Sequence, residues 1–136
     1  MTGPLAVDTS VVIPSLVTTH EAHQAARRVL DDDPAIPAHV AVEAYSVLTR
    51  LPLPLRVRGP VAVDLLARTF PVVLTMREET QSRLVATLAA AGVRAGAVYD
   101  GVVGLTALEA GTLLCTRDRR ARPTYEALGV NLRWLG

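Results

Sequence analysis

The sequence predicts an α/β fold in which a parallel sheet of four or five strands carries helices on both faces. Two observations lead there. Short apolar runs bounded by turn residues alternate with longer stretches of helical period along the chain. In addition, "LAVDTSVV" at 5–12 and "TLLCTRD" at 112–118 each place an aspartate directly after an apolar run, where strands of parallel sheets open onto a ligand crevice.

Taken in order, "PLAVD" is strand-like, and Thr9 and Ser10 can cap a turn after it. Residues 20–31 have helical spacing and end at "DDDPA", with Asp31 to Asp33 as a solvated helix end. A second helix covers 38–51. The proline-rich "LPLPLRVRGP" then interrupts before a third at about 61–69. "PVVLTM" is a short buried strand, 78–91 a helix closed by Gly92, and 97–110 a helix closed by Gly111. "TLLCT" and "VNLRWL" are strands around a short helix near 123–128. Strands separated by helices pair in parallel and need cover on both faces.

The 136 residues suit one domain, spanning 1–136; half are hydrophobic and a fifth charged, a globular balance. Arg94, Asp100 and Glu109 break the longest apolar stretches, so no window predicts a membrane span. The N-terminus has neither a basic region nor a small-residue cleavage site, so a cytoplasmic protein with no membrane partner is expected. Cys115 is the only cysteine; it excludes an intrachain disulfide and reads as a core thiol. The net charge is +1, and every basic residue outside the histidines is arginine. Without lysine, phosphate-binding loops ending in GK[ST], response-regulator receivers and haloacid-dehalogenase-type phosphatases are excluded, because each sets a lysine against a phosphoryl group.

The acids carry the chemistry. Asp8 and Asp118 each follow a strand. In the helix at 38–51, Val40, Ala44, Val47 and Leu51 form the apolar stripe, and Glu43 lies about 60° from its centre. Asp100 heads a stripe with Val103, Gly104, Ala107 and Leu108, whereas Glu109 points the opposite way, into solvent. Each acid has an ordinary use: a strand-end aspartate can cap a helix, and Glu43 can pair with Arg50. Four carboxylates facing one place repel one another unless a cation neutralises them. An oxygen-only donor set selects Mg²⁺ or Mn²⁺ over zinc. The rival group of His20, Glu21 and His23 lacks the i, i+4 histidine spacing of a helical zinc site.

"AVDTSVVI", "AVEAYSVLTRL", "VYDGVVGLTALEAGTLLCTRD" and "YEALGV" together resemble the PIN-domain family, and within it the VapC toxins of bacterial toxin–antitoxin pairs, from about residue 5 to 134. The resemblance implies a three-layer PIN-like fold. It makes Asp8, Glu43, Asp100 and Asp118 a catalytic and metal-holding quartet, with Thr9, Ser10 and Thr116 as supporting hydroxyls. Arg50, in "LTRL", matches a basic position often found near that site. Further acids that some relatives carry beside the last aspartate are replaced here by Thr116 and Arg117.

What the family implies is an endoribonuclease that uses Mg²⁺ or Mn²⁺, acts on RNA, forms a homodimer, and assembles with a VapB-type antitoxin into a heterotetramer or larger complex. Arg50, Arg117, Arg119, Arg120 and Arg122 would receive the RNA phosphates, since guanidinium forks bind phosphate in pairs. Only four per cent of residues are aromatic, so base stacking is not an obvious recognition device. Two other functions fit the same residues: a PIN-type nuclease in RNA processing or on DNA without an antitoxin, and a non-catalytic RNA-binding module. The stretch at 51–70 with the helix before it offers more apolar surface than a small monomer buries, which marks a partner surface.

Overall fold

The structure is a computed structural model that describes residues 4–136; the first three residues of the expected 1–136 unit lie outside it. Five parallel strands form its centre: β1 (Leu5–Val7), β2 (Ile36–Pro37), β3 (Val73–Leu74), β4 (Leu113–Thr116) and β5 (Leu132–Trp134). β1 pairs with β4 and β4 with β5, while β2 pairs with β3. A parallel bridge between Ala6 and Ala35 joins the two groups through Val7 N–H to Ala35 O (3.1 Å) and Ala35 N–H to Leu5 O (2.8 Å). The resulting order is β3-β2-β1-β4-β5. Chain order reverses between β1 and β4, so a crevice opens beyond their C-terminal ends.

The helices are α1 (Thr9–Leu16), α2 (His23–Val29), α3 (Ala38–Thr49), α4 (Gly59–Thr69), α5 (Glu78–Ser82), α6 (Leu84–Ala90), α7 (Ala97–Glu109) and α8 (Arg122–Ala127). Most match the expected segments, but the helix expected at 78–91 is broken at Arg83 into α5 and α6, and α1 has no counterpart among the expected helices. "TSVVIPSL" carries a β-branched run and Pro14, both of which argue locally against a helix. It forms because Asp8 caps it, accepting from Ser10 N–H, and because Val11, Val12 and Pro14 are buried against the sheet and its neighbours. Tertiary burial outweighs propensity here.

The main core gathers β1, α1, α2, α3, β4 and α8, with Val7, Val12, Val40, Leu114 and Tyr125 fully enclosed. β1 is buried on all three residues, as a central strand covered on both faces must be. β3 departs from expectation: it is a two-residue edge strand with Val72 and Val73 exposed. The α3 stripe runs through Val40, Ala44 and Leu48, with Val47 only half-buried. In α7 the buried residues include Gly101 and Leu105, because α6 and the turn after it cover a second flank of this helix and pack Leu88 and Val93 against Leu105; Leu108 is exposed. Among the described residues, no helix is long and apolar enough to cross a membrane.

A carboxylate cleft at the C-terminal ends of the strands

Asp8 leaves β1 with its side chain only 5% exposed. Its Oδ1 accepts from Ser10 N–H (3.0 Å) and Ser10 Oγ (2.5 Å); its Oδ2 accepts from Thr116 Oγ1 (2.5 Å) and the Tyr125 hydroxyl (2.9 Å). Burial raises the Asp8 pKa, and these donors pull it back down. The chain thus answers a buried charge with four hydrogen-bond donors, about the full capacity of a carboxylate. Ser10 and Thr116 are held in turn: Arg117 N–H donates to Ser10 Oγ (2.8 Å) and Asp118 N–H to Thr116 Oγ1 (3.0 Å). The two hydroxyls stand 3.4 Å apart, close enough to bond each other when Asp8 takes another partner.

Around Asp8 lies a cleft of about 250 Å³ lined by Glu43, Asp100, Asp118, Thr9, Ser10, Arg120 and Tyr125. The structure therefore brings all four predicted acids to one place, from β1, α3, α7 and the turn after β4. Burial raises the pKa of Glu43, with Asp100, Asp8 and Asp118 adding to the rise, while His39 opposes it. Burial likewise raises Asp100, seconded by the charge of Asp118 and opposed by Arg120. Carboxylates that raise one another's pKa are crowded negative charge. Among the described residues, no three Asp, Glu, His or Cys side chains stand close enough to chelate an ion as they are placed.

The cap and the site turn out to be one structure. Asp8 caps α1, and Asp118 caps the turn of Arg119 to Ala121, accepting from Arg120 N–H (3.0 Å) and Ala121 N–H (3.3 Å). Asp118 also meets the Arg120 guanidinium at 3.2 Å. Glu43 has His39 at 3.5 Å as its partner, and not Arg50, which is exposed and donates to Ser46 Oγ. The arginines after β4 divide. Arg120 enters the cleft, whereas Arg119 and Arg122 lie over the Trp134 ring at 4.3 and 5.7 Å from its centroid. Arg122 also pairs with Glu126 at 2.5 Å. Of the three predicted hydroxyls, Ser10 and Thr116 bond Asp8; Thr9 Oγ1 is buried in the cleft wall with no hydrogen-bond partner among the described residues.

Sequence reasoning missed Tyr125, which is 117 positions from Asp8 and nine-tenths or more enclosed. Burial and the neighbouring Asp8 push its hydroxyl pKa far above the ordinary tyrosine value, so it stays a donor. Gly104 on α7 makes room for it: a Cβ there would come within 2.9 Å of Val130 and 3.1 Å of the Tyr125 ring. Glu109 is also corrected. It does not simply face water but accepts from Arg77 N–H (2.7 Å), Arg77 Nε (3.1 Å) and Thr80 Oγ1, tying the start of α5 to the end of α7. The Thr80 hydroxyl is the main cause of its lowered pKa. His20 Nδ1 accepts from Ala22 N–H (3.0 Å) and His23 Nδ1 stands 2.7 Å from Pro14 O, so both rings serve the turn between α1 and α2. Cys115 is fully buried, and burial pushes its thiol up to about 11, which makes it inert.

A parallel sheet whose order reverses beside a cleft of four carboxylates defines the class of protein, and comparison with known proteins agrees. The PIN domain profile matches residues 5–126. The chain is 45% identical to ribonuclease VapC27 of Mycobacterium tuberculosis (strain H37Rv), with 97% of each chain covered. It is 46% identical to ribonuclease VapC40 of the same species, over 94% of this chain and 96% of that one. In fold it is similar to a chain in the structure of FitAB bound to an IR36 DNA fragment, with a TM-score of 0.71 and 18% identity over 96% of this chain and 94% of that one. A chain of VapBC2 from Rickettsia felis, bound to a promoter DNA fragment, gives a TM-score of 0.67 and 12% identity, with 97% and 98% covered. The chain belongs to the PIN-domain family, and within that family to its VapC-type members.

Proposed function

We propose that this chain is the toxin of a toxin–antitoxin pair: a Mg²⁺- or Mn²⁺-dependent endoribonuclease that cleaves structured cellular RNA, such as a transfer or ribosomal RNA, in the cytoplasm. The observation that carries it is the meeting of Asp8, Glu43, Asp100 and Asp118 at one cleft, three of them in surroundings that disfavour their charge. The donor set is all oxygen, and Thr9, whose buried Oγ1 has no hydrogen-bond partner among the described residues, belongs to the wall of the same cleft. Acids that surround a cleft without chelating suit Mg²⁺, which keeps several waters and takes one or two carboxylates together with substrate phosphate. When bound, such a cation supplies charge neutralisation and a water acidified toward neutral pH.

The residues of the chain divide the remaining work. Asp8 gives up one hydroxyl donor, Ser10 or Thr116, to face the cleft, and those two hydroxyls then bond each other. Tyr125 keeps its bond and fixes the carboxylate plane. Arg120, already turned into the cleft by Asp118, exchanges that carboxylate for a phosphate oxygen; Arg50, Arg117, Arg119 and Arg122 extend the positive rim along the RNA backbone. Attack of water on phosphorus with departure of the 3′-oxygen, and without the RNA 2′-hydroxyl, leaves 5′-phosphate and 3′-hydroxyl ends.

For the partner we propose a VapB-type antitoxin bound to a homodimer, in a heterotetramer or larger complex. An apolar groove of about 340 Å³ between α3, α4 and β3 supports it, with Tyr45, Val63, Leu66, Phe70 and Val73 in its walls. VapC-named relatives and neighbours solved as FitAB and VapBC2 point the same way. The test uses purified, antitoxin-free protein on total RNA with Mn²⁺ or EDTA. Cleavage in Mn²⁺ that vanishes in EDTA and in Asp8→Asn is expected; cleavage that persists in either sinks the mechanism.

A further inference from the structure

Beside the carboxylate cleft, and sharing Glu43 with it, a second depression lies between α3 and α7, walled by His39, Ser46, Val47, Arg50 and Tyr99. Tyr99 precedes Asp100 on α7, yet its ring is 58% exposed. It stacks in parallel on His39, at 5.7 Å between centroids and 7° between planes. His39 is anchored in turn by Glu43. The other aromatics are spent: Phe70 and Tyr125 are buried, Trp134 carries Arg119, and Tyr45 lines the apolar groove. Four per cent aromatic content suggested no stacking surface, but placement matters more than number. An exposed tyrosine one residue from a cleft acid costs apolar exposure that nothing in the core repays.

Resting on the proposed ribonuclease activity, we propose that this depression is a nucleobase subsite: one unstacked base of the RNA lies on the Tyr99–His39 stack, next to the phosphate held at the carboxylates, with Arg50 on the flanking phosphate. The geometry suits single-stranded loops, whose bases can be splayed onto aromatic rings while phosphates meet arginine. It makes Tyr99 a specificity-determining residue and selects a loop nucleotide over a paired one. Because stacking tolerates any base, selection here is for an unpaired position and not for a letter.

The test separates this subsite from the activity. Hairpin RNAs with 2-aminopurine at successive loop positions are titrated with Asp8→Asn protein, which holds RNA without cleaving it, and with the same protein carrying Tyr99→Ala or Tyr99→Phe. Quenching of the probe at one loop position is expected, lost with Tyr99→Ala and kept with Tyr99→Phe. In the cleaving protein, Tyr99→Ala lowers kcat/KM on an intact hairpin by about tenfold to a hundredfold. Replacing the probed nucleotide by an abasic one costs the parent the same factor and costs Tyr99→Ala nothing more. No quenching at any position, or equal quenching with Tyr99→Ala, overturns the subsite whether or not the parent cleaves RNA; failure of the parent to cleave, with quenching intact, overturns the activity and leaves the subsite standing.

Discussion

Helix α3 divides two unlike surfaces. Toward α7 it presents Glu43 to a cleft of charges that oppose folding; toward α4 and β3 it presents Ala41 and Tyr45 to an apolar groove left open to water. Both are costly to the isolated chain, for opposite reasons. The cleft holds carboxylates that burial and mutual repulsion push toward the neutral form. The groove leaves Val63 and Val73 59% and 51% exposed. A small cation would relieve the first, and a broad apolar partner would relieve the second. The difference teaches that one chain can store two independent ligand preferences on a single helix, because faces half a turn apart share little but their backbone.

Substitutions that cross these regions test that independence. The largest effect belongs to the acids: Asp100→Asn or Asp118→Asn is expected to lower RNA cleavage at least about a hundredfold while light scattering and antitoxin binding stay as in the parent. Loss of assembly along with activity would mean that the two surfaces are coupled. The converse pair, Val63→Glu with Val73→Glu, should weaken partner binding by about thirtyfold or more and leave cleavage per chain within about threefold. Retained affinity would remove the groove from the partner interface.

A smaller effect is read as stability. The pKa of Asp8 is raised in the fold, so the native state binds more protons than the unfolded chain between the ordinary carboxylate pKa of about 4 and the raised value. Stability from this group is therefore full at acidic pH and is lost as pH rises. Metal-free Asp8→Asn, which cannot ionise, should melt several degrees above the parent at neutral pH and near it below pH ~4. Added Mn²⁺ should raise the parent's Tm and not that of the variant. A gap that does not change with pH would contradict the burial penalty. Tyr125→Phe removes one of the donors that offset this penalty and should cost about 1–3 kcal/mol. Smallest is Glu109→Gln, far from both surfaces. Cleavage unchanged and a slight loss of Tm are expected, since Arg77 and Thr80 keep an acceptor but lose its charge; a fall in activity would link the α5 tie to the site.

The sequence by itself determined the periods, the ends and the order of most elements, and with them the acids. Asp8 and Asp118 were legible because a carboxylate after an apolar run is a local signal, and Asp100 because the phase of α7 carries it to the cleft. Glu43 was legible from the edge of a stripe whose exact line, Val40, Ala44 and Leu48, lay one residue from the expected one. Only the tertiary structure decided the rest. Helix α1 exists against its own propensities because the core needs its valines. Tyr125 reaches Asp8 across 117 positions through a gap that Gly104 leaves open, and no periodicity encodes such a contact. Arg119 and Arg122 lie on Trp134 because β5 pairs Trp134 with Thr116 beside the turn that carries them. The reason is common to all three: spacing along a chain sets which way a side chain points from its own element, whereas its partners depend on which other element the packing brings opposite.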